Sequence, residues 1–164
     1  MILAFPYFPL FVDLSEKNIL VVGAGRIGSR RIRTLLDFVP KVTVVAPELS
    51  AEVDALASEG RIVLRQRMFS AEDLDGVHLV LTATGVPAVD EEIWKLCRKR
   101  NIPVNIASDR TKCDFFFPGI ARKDNLVIGI TASGESHADA GNLTKAVRTF
   151  LETYLEQPLE LQNK

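Results

Sequence analysis

The stretch that most constrains what this chain can fold into is "NILVVGAGRIGSRRIRTLL", residues 18–36. A run of strand-forming aliphatics breaks there into Gly23, Gly25 and Gly28 and resumes as an arginine-rich helical pattern. Glycine loses more freedom on folding than any other residue, so such a cluster calls for a tight turn or for something that comes close to the backbone. The spacing G-x-G-x-x-G is weak alone, but it is specific when it follows a strand directly and opens a helix inside a strand-helix-strand unit. Gly23 then permits the turn, Gly25 lets a pyrophosphate approach the main chain, and Gly28 lets the helix sit close to the sheet. The first N–H groups of the helix have no intrahelical acceptor and face the phosphates, an attraction of about 0.3–1 kcal/mol. The turn therefore points to a bound dinucleotide; a bare strand-helix junction is the simpler alternative.

The flanking pattern supplies the required unit. "NILVVGAG", "KVTVVAP" and "HLVLTAT" alternate with helical segments, and "IPVNIAS" follows the last of them. That alternation is what a parallel sheet with crossover helices requires. Ile27, Ile32, Leu35 and Leu36 supply a buried side to the first helix; Ser50 is a fitting N-cap for a second, burying Val53 and Leu56 and stopping at Gly60. "RIVLRQR" alternates apolar with polar residues, as an extra half-exposed strand does, and Val89, Ile93, Leu96 and Cys97 form one side of the third helix. The expected fold class is α/β, a Rossmann-like parallel sheet over residues 1–112, with a small C-terminal α+β segment over residues 113–164.

That later segment reads differently. "DFFFPGIARKDNLVIGITAS" is two extended runs joined at a tight turn through Asp124 and Asn125. Leu143, Val147, Phe150, Leu151, Tyr154 and Leu155 then recur at helical spacing, with Lys145, Arg148, Glu152 and Glu156 facing the other way. One hairpin and one helix do not enclose a core alone. The segment is therefore expected to pack on a second copy of the chain, or else on the first domain.

Composition narrows the class of function. Among 164 residues, 47% are hydrophobic, enough for one good core. Twenty basic against twenty-one acidic residues argue against a general electrostatic grip on nucleic acid or anionic lipid, so any anion is held locally. Cys97 and Cys113 lack CxxC spacing and read as reduced cytoplasmic thiols. The opening "MILAFPYFPLFVDL" has no basic start and is interrupted by Pro6 and Pro9, so it is read as mature structure rather than a signal peptide. No membrane span is expected, since none of the apolar runs approaches about 18 residues.

The choice of dinucleotide rests on the end of the second strand, about 20 residues beyond the turn. Val45 and Ala46 stand at the usual acidic position, Pro47 and Glu48 follow, and no Arg or Lys occurs between Val42 and Gly60 to hold a 2′-phosphate. NAD is expected over NADP. Glu48 reads equally as a ribose contact or as a solvated acid near a helix start. Thr84, ending the third core strand, lies where ligands sit beyond carboxyl strand ends.

With "FPLFVDL", "VVGAGRIGSRR", "VTVVAPEL", "VNIASDRTKCDFFFPGI" and "GITASGES", nearly the whole chain resembles the precorrin-2 dehydrogenase family, the NAD-binding portion of siroheme synthases. The resemblance implies NAD-dependent oxidation of the tetrapyrrole precorrin-2 to sirohydrochlorin, followed in some members by insertion of ferrous iron as a second substrate. It implies a homodimer built through the segment after the nucleotide domain. It carries nucleotide binding to Gly23, Gly25, Arg26, Ile27, Gly28, Pro47 and Glu48. Family members commonly carry a further helical region that helps close the substrate cleft, and the sequence after "GITASGES" offers one long helix in its place.

One departure concerns chemistry. In the family an aspartate near the end of the strand written here as "VNIAS" is the proposed base; counted from Asn105 to Pro118 it falls on Ser108, with Asp109 next. A serine is a poor proton acceptor at neutral pH without a neighbouring base, whereas a carboxylate of raised pKa can serve. Three readings follow: Asp109 substitutes from one position along, solvent takes the proton, or the chain is a catalytically impaired dimeric module that binds NAD or tetrapyrrole. A second departure is Ala132, where the family often has serine, although Ser133 and Ser136 are close. For the carboxylate-rich substrate, Arg110 and Lys112 flank the candidate site, and Arg30 and Arg31 begin the first helix. Arg110 is the preferred substrate contact, with Ser133. His137 reads either as a loop group facing the tetrapyrrole, as proton carrier or iron ligand, or as an exposed loop histidine; His78 lies within a core-strand pattern and reads as structural. No H-x-x-x-H or CxxC pattern indicates a resident metal.

Overall fold

A computed structural model describes residues 5–154 of the chain. The expectations for Leu155 and Glu156 fall outside these residues. Two compact units are present. One is Val12–Phe116; the other joins the described residues of Met1–Phe11 to those of Phe117–Lys164.

The first unit is a five-stranded parallel sheet in the order β3-β2-β1-β4-β5. Its strands are β1 (Ile19–Ala24), β2 (Val42–Leu49), β3 (Ile62–Arg65), β4 (Leu79–Thr82) and β5 (Val104–Ile106). All six residues of β1 are buried, as the centre of a sheet covered on both faces demands. Helices α1 (Arg26–Leu35), α2 (Ala51–Ser58) and α3 (Pro87–Arg100) connect the strands. The "RIVLRQR" run supplies β3, an edge strand whose burial alternates as its sequence does. Ser50 caps α2, its hydroxyl accepting from Val53 N at 3.3 Å, and the chain turns at Gly60 with φ +68°.

Burial corrects two readings. Ile32 and Leu35 do face the core, but Ile27 is 44% exposed and Leu36 is the half-buried C-cap. Gly28 and Ser29 take the buried places beside the sheet, leaving Ile27 at the mouth of the glycine turn. His78 is exposed rather than inside the core, although its role is structural: Nδ1 accepts from Asn18 N at 3.0 Å, tying the start of β4 to the start of β1.

One buried charge shapes the edge of this unit. The Asp73 carboxylate accepts from Arg67 at 2.6 and 2.7 Å, from Arg65 at 2.6 Å and from Ser70 N at 2.9 Å. Burial works to raise its pKa, but the hydrogen bonds from Arg67, Ser70 and Arg65 and the charge of Arg67 outweigh it and hold the group at about 2, against 3.8 ordinarily. The unfolded chain therefore binds this proton first as pH falls. Asp73 stabilises the fold above pH 3.8, and that contribution is lost as pH drops toward about 2. Acid titration followed by circular dichroism is expected to show a shallower loss of stability over this range in Asp73→Asn than in the wild type.

The second unit contains an antiparallel hairpin of β6 (Gly119–Lys123) and β7 (Leu126–Ile130), with Asp124 at φ +51° in the expected turn, and helix α4 (His137–Tyr154). Arg148 donates to Ile120 O at 2.6 and 2.9 Å and Lys123 Nζ to Glu152 O at 2.8 Å, fastening α4 to β6. Thr144 and Leu151 are the buried residues of α4. Leu143, Phe150 and Tyr154 are exposed, so the expected apolar face is only partly covered by the described residues.

Candidate functional site

The carboxyl ends of β1, β4 and β5 open onto one cleft of about 350 Å³, lined by Gly25, Arg26, Ile27, Ala83, Thr84, Gly85, Asp90, Ala107 and Ser108. The place follows from topology. β1 sits between β2 and β4, so the chain reverses direction across the sheet there and the loops on either side diverge.

The three glycines of the turn do different things. Gly23 has φ +100°, and a Cβ there would lie 2.3 Å from Ala83 O. A Cβ on Gly28 would lie 2.1 Å from Gly23 O, which is the close helix approach expected of that position. Gly25 is different: its backbone is extended, at φ −74° and ψ −171°, and a Cβ would meet no heavy atom within 4 Å. Nothing inside the protein requires a glycine there. The open space before the uncapped start of α1 is where a diphosphate fits, with the amides of the first helical turn as donors.

On the other flank, β1 and β2 shift register: Val22 pairs with Val45 but Ala24 pairs with Leu49. Pro47 and Glu48 lie in the extra length of β2, both exposed beside the glycine turn. Ser29 and Ser50, their hydroxyls 2.8 Å apart, and Ser50 N donating to Ala24 O at 3.2 Å close the bulge beneath them.

At the far wall stands a residue that sequence reasoning missed. Asp90, in the first turn of α3, is only 3% exposed. Its Oδ1 accepts from the Thr84 hydroxyl at 2.7 Å and its Oδ2 from the Ser108 hydroxyl at 2.8 Å. Thr84 Oγ1 also accepts from Val86 N at 3.0 Å, so the ends of β4 and β5 are tied to the start of α3 through one carboxylate. A signal was available: Asp90, Ile93 and Cys97 are the buried residues of α3 at helical spacing, and an acid on an apolar face needs a partner.

Ser108 and Asp109 diverge. Ser108 is exposed on the cleft wall, whereas Asp109 caps a short 3₁₀ turn (Arg110–Lys112). The Asp109 carboxylate accepts from the Thr111 hydroxyl at 2.6 Å and Thr111 N at 3.0 Å, and pairs with Lys112 Nζ at 3.2 Å. Those bonds, Thr111 first, hold its pKa below the ordinary value of 3.8, the opposite direction from that which makes a carboxylate a useful base at neutral pH. Lys112 also pairs with Glu91 at 2.5 Å. Arg31 is half-buried and donates to Thr82 O at 3.3 Å; burial pulls its pKa down. Arg26 and Arg110 are exposed.

Ser133 and His137 belong to the second unit. Ser133 takes φ +52° and its hydroxyl accepts from Tyr7 N at 3.0 Å. His137 is exposed and opens α4 instead of lying in a loop, because Ser136 Oγ caps the helix by accepting from Asp139 N at 3.1 Å. Cys97 and Cys113 are free thiols, and burial pushes Cys97 up to about 12. Among the described residues no His, Cys, Asp and Glu group could hold a metal ion, and no helix is long and apolar enough to cross a membrane.

Residues 10–119 match a family model described as "Putative NAD(P)-binding". The siroheme synthase of Buchnera aphidicola subsp. Acyrthosiphon pisum is 36% identical over 93% of this chain and 32% of its own length. That of Neisseria meningitidis serogroup C is 35% identical over 93% of the chain and 31% of its own length. The chain thus spans about a third of the length of these curated relatives. Among solved structures, "SirC, precorrin-2 dehydrogenase" superposes with a TM-score of 0.70 at 30% identity, covering 90% of this chain and 71% of that one.

Proposed function

The chain belongs to the precorrin-2 dehydrogenase family, the NAD-binding portion of siroheme synthases, and on that premise we propose that it oxidises precorrin-2 to sirohydrochlorin with NAD⁺. The observation that carries this reading is the open space at Gly25, a glycine that the fold itself does not need. The amides of Arg26, Ile27 and Gly28 would hold the diphosphate behind the turn that Gly23 makes. Pro47 and Glu48 would face the adenosine ribose, and with no cation between Val42 and Gly60 this favours NAD over NADP. Thr84 lines the cleft on the opposite side. Bound NAD⁺ supplies the hydride acceptor.

The chain's own residues must then orient the tetrapyrrole and take a proton. Ser108 is the group at the cleft wall; Asp109, one place along, is committed to Thr111 and Lys112 and serves the loop. Arg110 is assigned to the substrate's carboxylates, for which an exposed guanidinium is suited, and Ser133 and His137 are proposed as further substrate contacts, His137 as proton carrier or iron ligand. Leu143, Phe150 and Tyr154, 55%, 59% and 45% exposed, form the surface through which two copies would pair. Two free thiols suit the cytoplasm.

Incubating the purified protein anaerobically with precorrin-2 and NAD⁺ tests the reading. NADH and sirohydrochlorin are expected in equal amounts. No NADH above a boiled control contradicts it, and binding of both ligands without turnover identifies an impaired binding module instead.

A further inference from the structure

Directly behind the cleft end of β5 lies a buried carboxylate that another element, α3, supplies. Ser108 is exposed to the cleft and donates its hydroxyl proton to Asp90 Oδ2 at 2.8 Å; Asp90 is buried behind it at 3% exposure. Resting on the oxidation proposed above, we propose that Asp90 is the proton reservoir of the reaction, acting through Ser108, the catalytic residue that touches the substrate.

The local bonding supports a relay. An ionised carboxylate only accepts hydrogen bonds, and Asp90 accepts from Thr84 on one oxygen and from Ser108 on the other. With its proton committed to Asp90, the Ser108 oxygen turns its lone pairs toward the cleft. As the substrate gives up a hydride to NAD⁺ and a proton to Ser108 Oγ, the serine's own proton passes to Asp90 Oδ2. The substrate loses two electrons and two hydrogens, NAD⁺ gains the hydride, and Asp90 becomes a neutral acid that later releases its proton to solvent. Thr84 keeps the carboxylate from swinging away. The same carboxylate ties the ends of β4 and β5 to α3, so the relay group is held rigidly in place.

The test compares the wild type with Asp90→Asn, Ser108→Ala and the double variant Asp90→Asn/Ser108→Asp, measuring kcat, the KM for precorrin-2, the Kd for NAD⁺ by calorimetry, and the melting curve. Asp90→Asn is expected to lower kcat about 100-fold, the ordinary reach of general base catalysis, with KM and the NAD⁺ Kd changed less than about threefold. Returning a carboxylate to position 108 in the double variant is expected to recover at least about tenfold of that loss, which a merely structural Asp90 would not allow. Ser108→Ala, an exposed truncation, is expected to fold and to lose kcat similarly, so it carries the test should Asp90→Asn unfold. If Asp90→Asn or Ser108→Ala keeps kcat within twofold of wild type, or the loss falls in KM or NAD⁺ affinity, or the double variant recovers nothing, the relay is overturned while the oxidation stands. A wild type that makes no NADH overturns both.

Discussion

Gly23→Ala is expected to cost about 3–5 kcal/mol of stability, the sum of a backbone forced at positive φ and an overpacked contact that has no side chain to move aside. Gly23 is buried at φ +100°, and its new Cβ would stand 2.3 Å from Ala83 O, 2.5 Å from Ala83 C and 2.8 Å from Thr84 N. All three atoms are backbone, and they belong to the end of β4 that carries one wall of the cleft. Relief therefore requires β1 and β4 to part where they pair at Val22 and Thr82. Urea denaturation followed by circular dichroism reads the loss directly. A midpoint equal to the wild type's would mean that the turn is not formed as described.

Gly25→Val should separate ligand binding from folding. Its extended backbone suits any residue, and the added carbons enter open space. The stability change is expected to stay within about 1 kcal/mol, the size of an N-cap effect. NAD⁺ affinity is expected to fall by at least about 100-fold, about 2.7 kcal/mol, because the side chain occupies the approach of the diphosphate to the first helical turn. Quenching or enhancement of NADH fluorescence on titration measures the affinity, and thermal melting checks the fold. Retained affinity in Gly25→Val would place the phosphates elsewhere.

The strands and their parallel pairing were legible because each is a short aliphatic run bounded by polar or glycine punctuation. Ser50 was legible as a cap because it directly precedes the apolar period of α2. Ile27 was misread because periodicity counts apolar residues without knowing where the helix meets the sheet. Gly28 and Ser29 make that contact, and Ile27 is left at the cleft. His78 was misread as core because a strand pattern does not mark its own end; the residue lies just before β4 and bonds Asn18 across to β1. His137 lay at a boundary that only the Ser136 cap resolves.

Within the site, the glycine turn was readable from local spacing, but the Ser108–Asp90 pair was not. The two residues are separated by 18 positions and meet only because α3 returns the chain to the sheet beside β4, where β5 then pairs. Sequence offered Asp109 as the neighbouring carboxylate. Geometry sends that side chain to Thr111 and brings another to Ser108 from a different element. Pairing across the fold, unlike pairing along it, leaves no spacing to recognise.

The account stands on a dinucleotide diphosphate held at the uncapped start of α1. A calorimetric titration of the intact wild-type protein with NAD⁺ addresses this most directly. Saturable binding of one NAD⁺ per chain, weakened in Gly25→Val, is the predicted result. Absence of saturable heat with millimolar NAD⁺ on a protein shown by melting to be folded would contradict it.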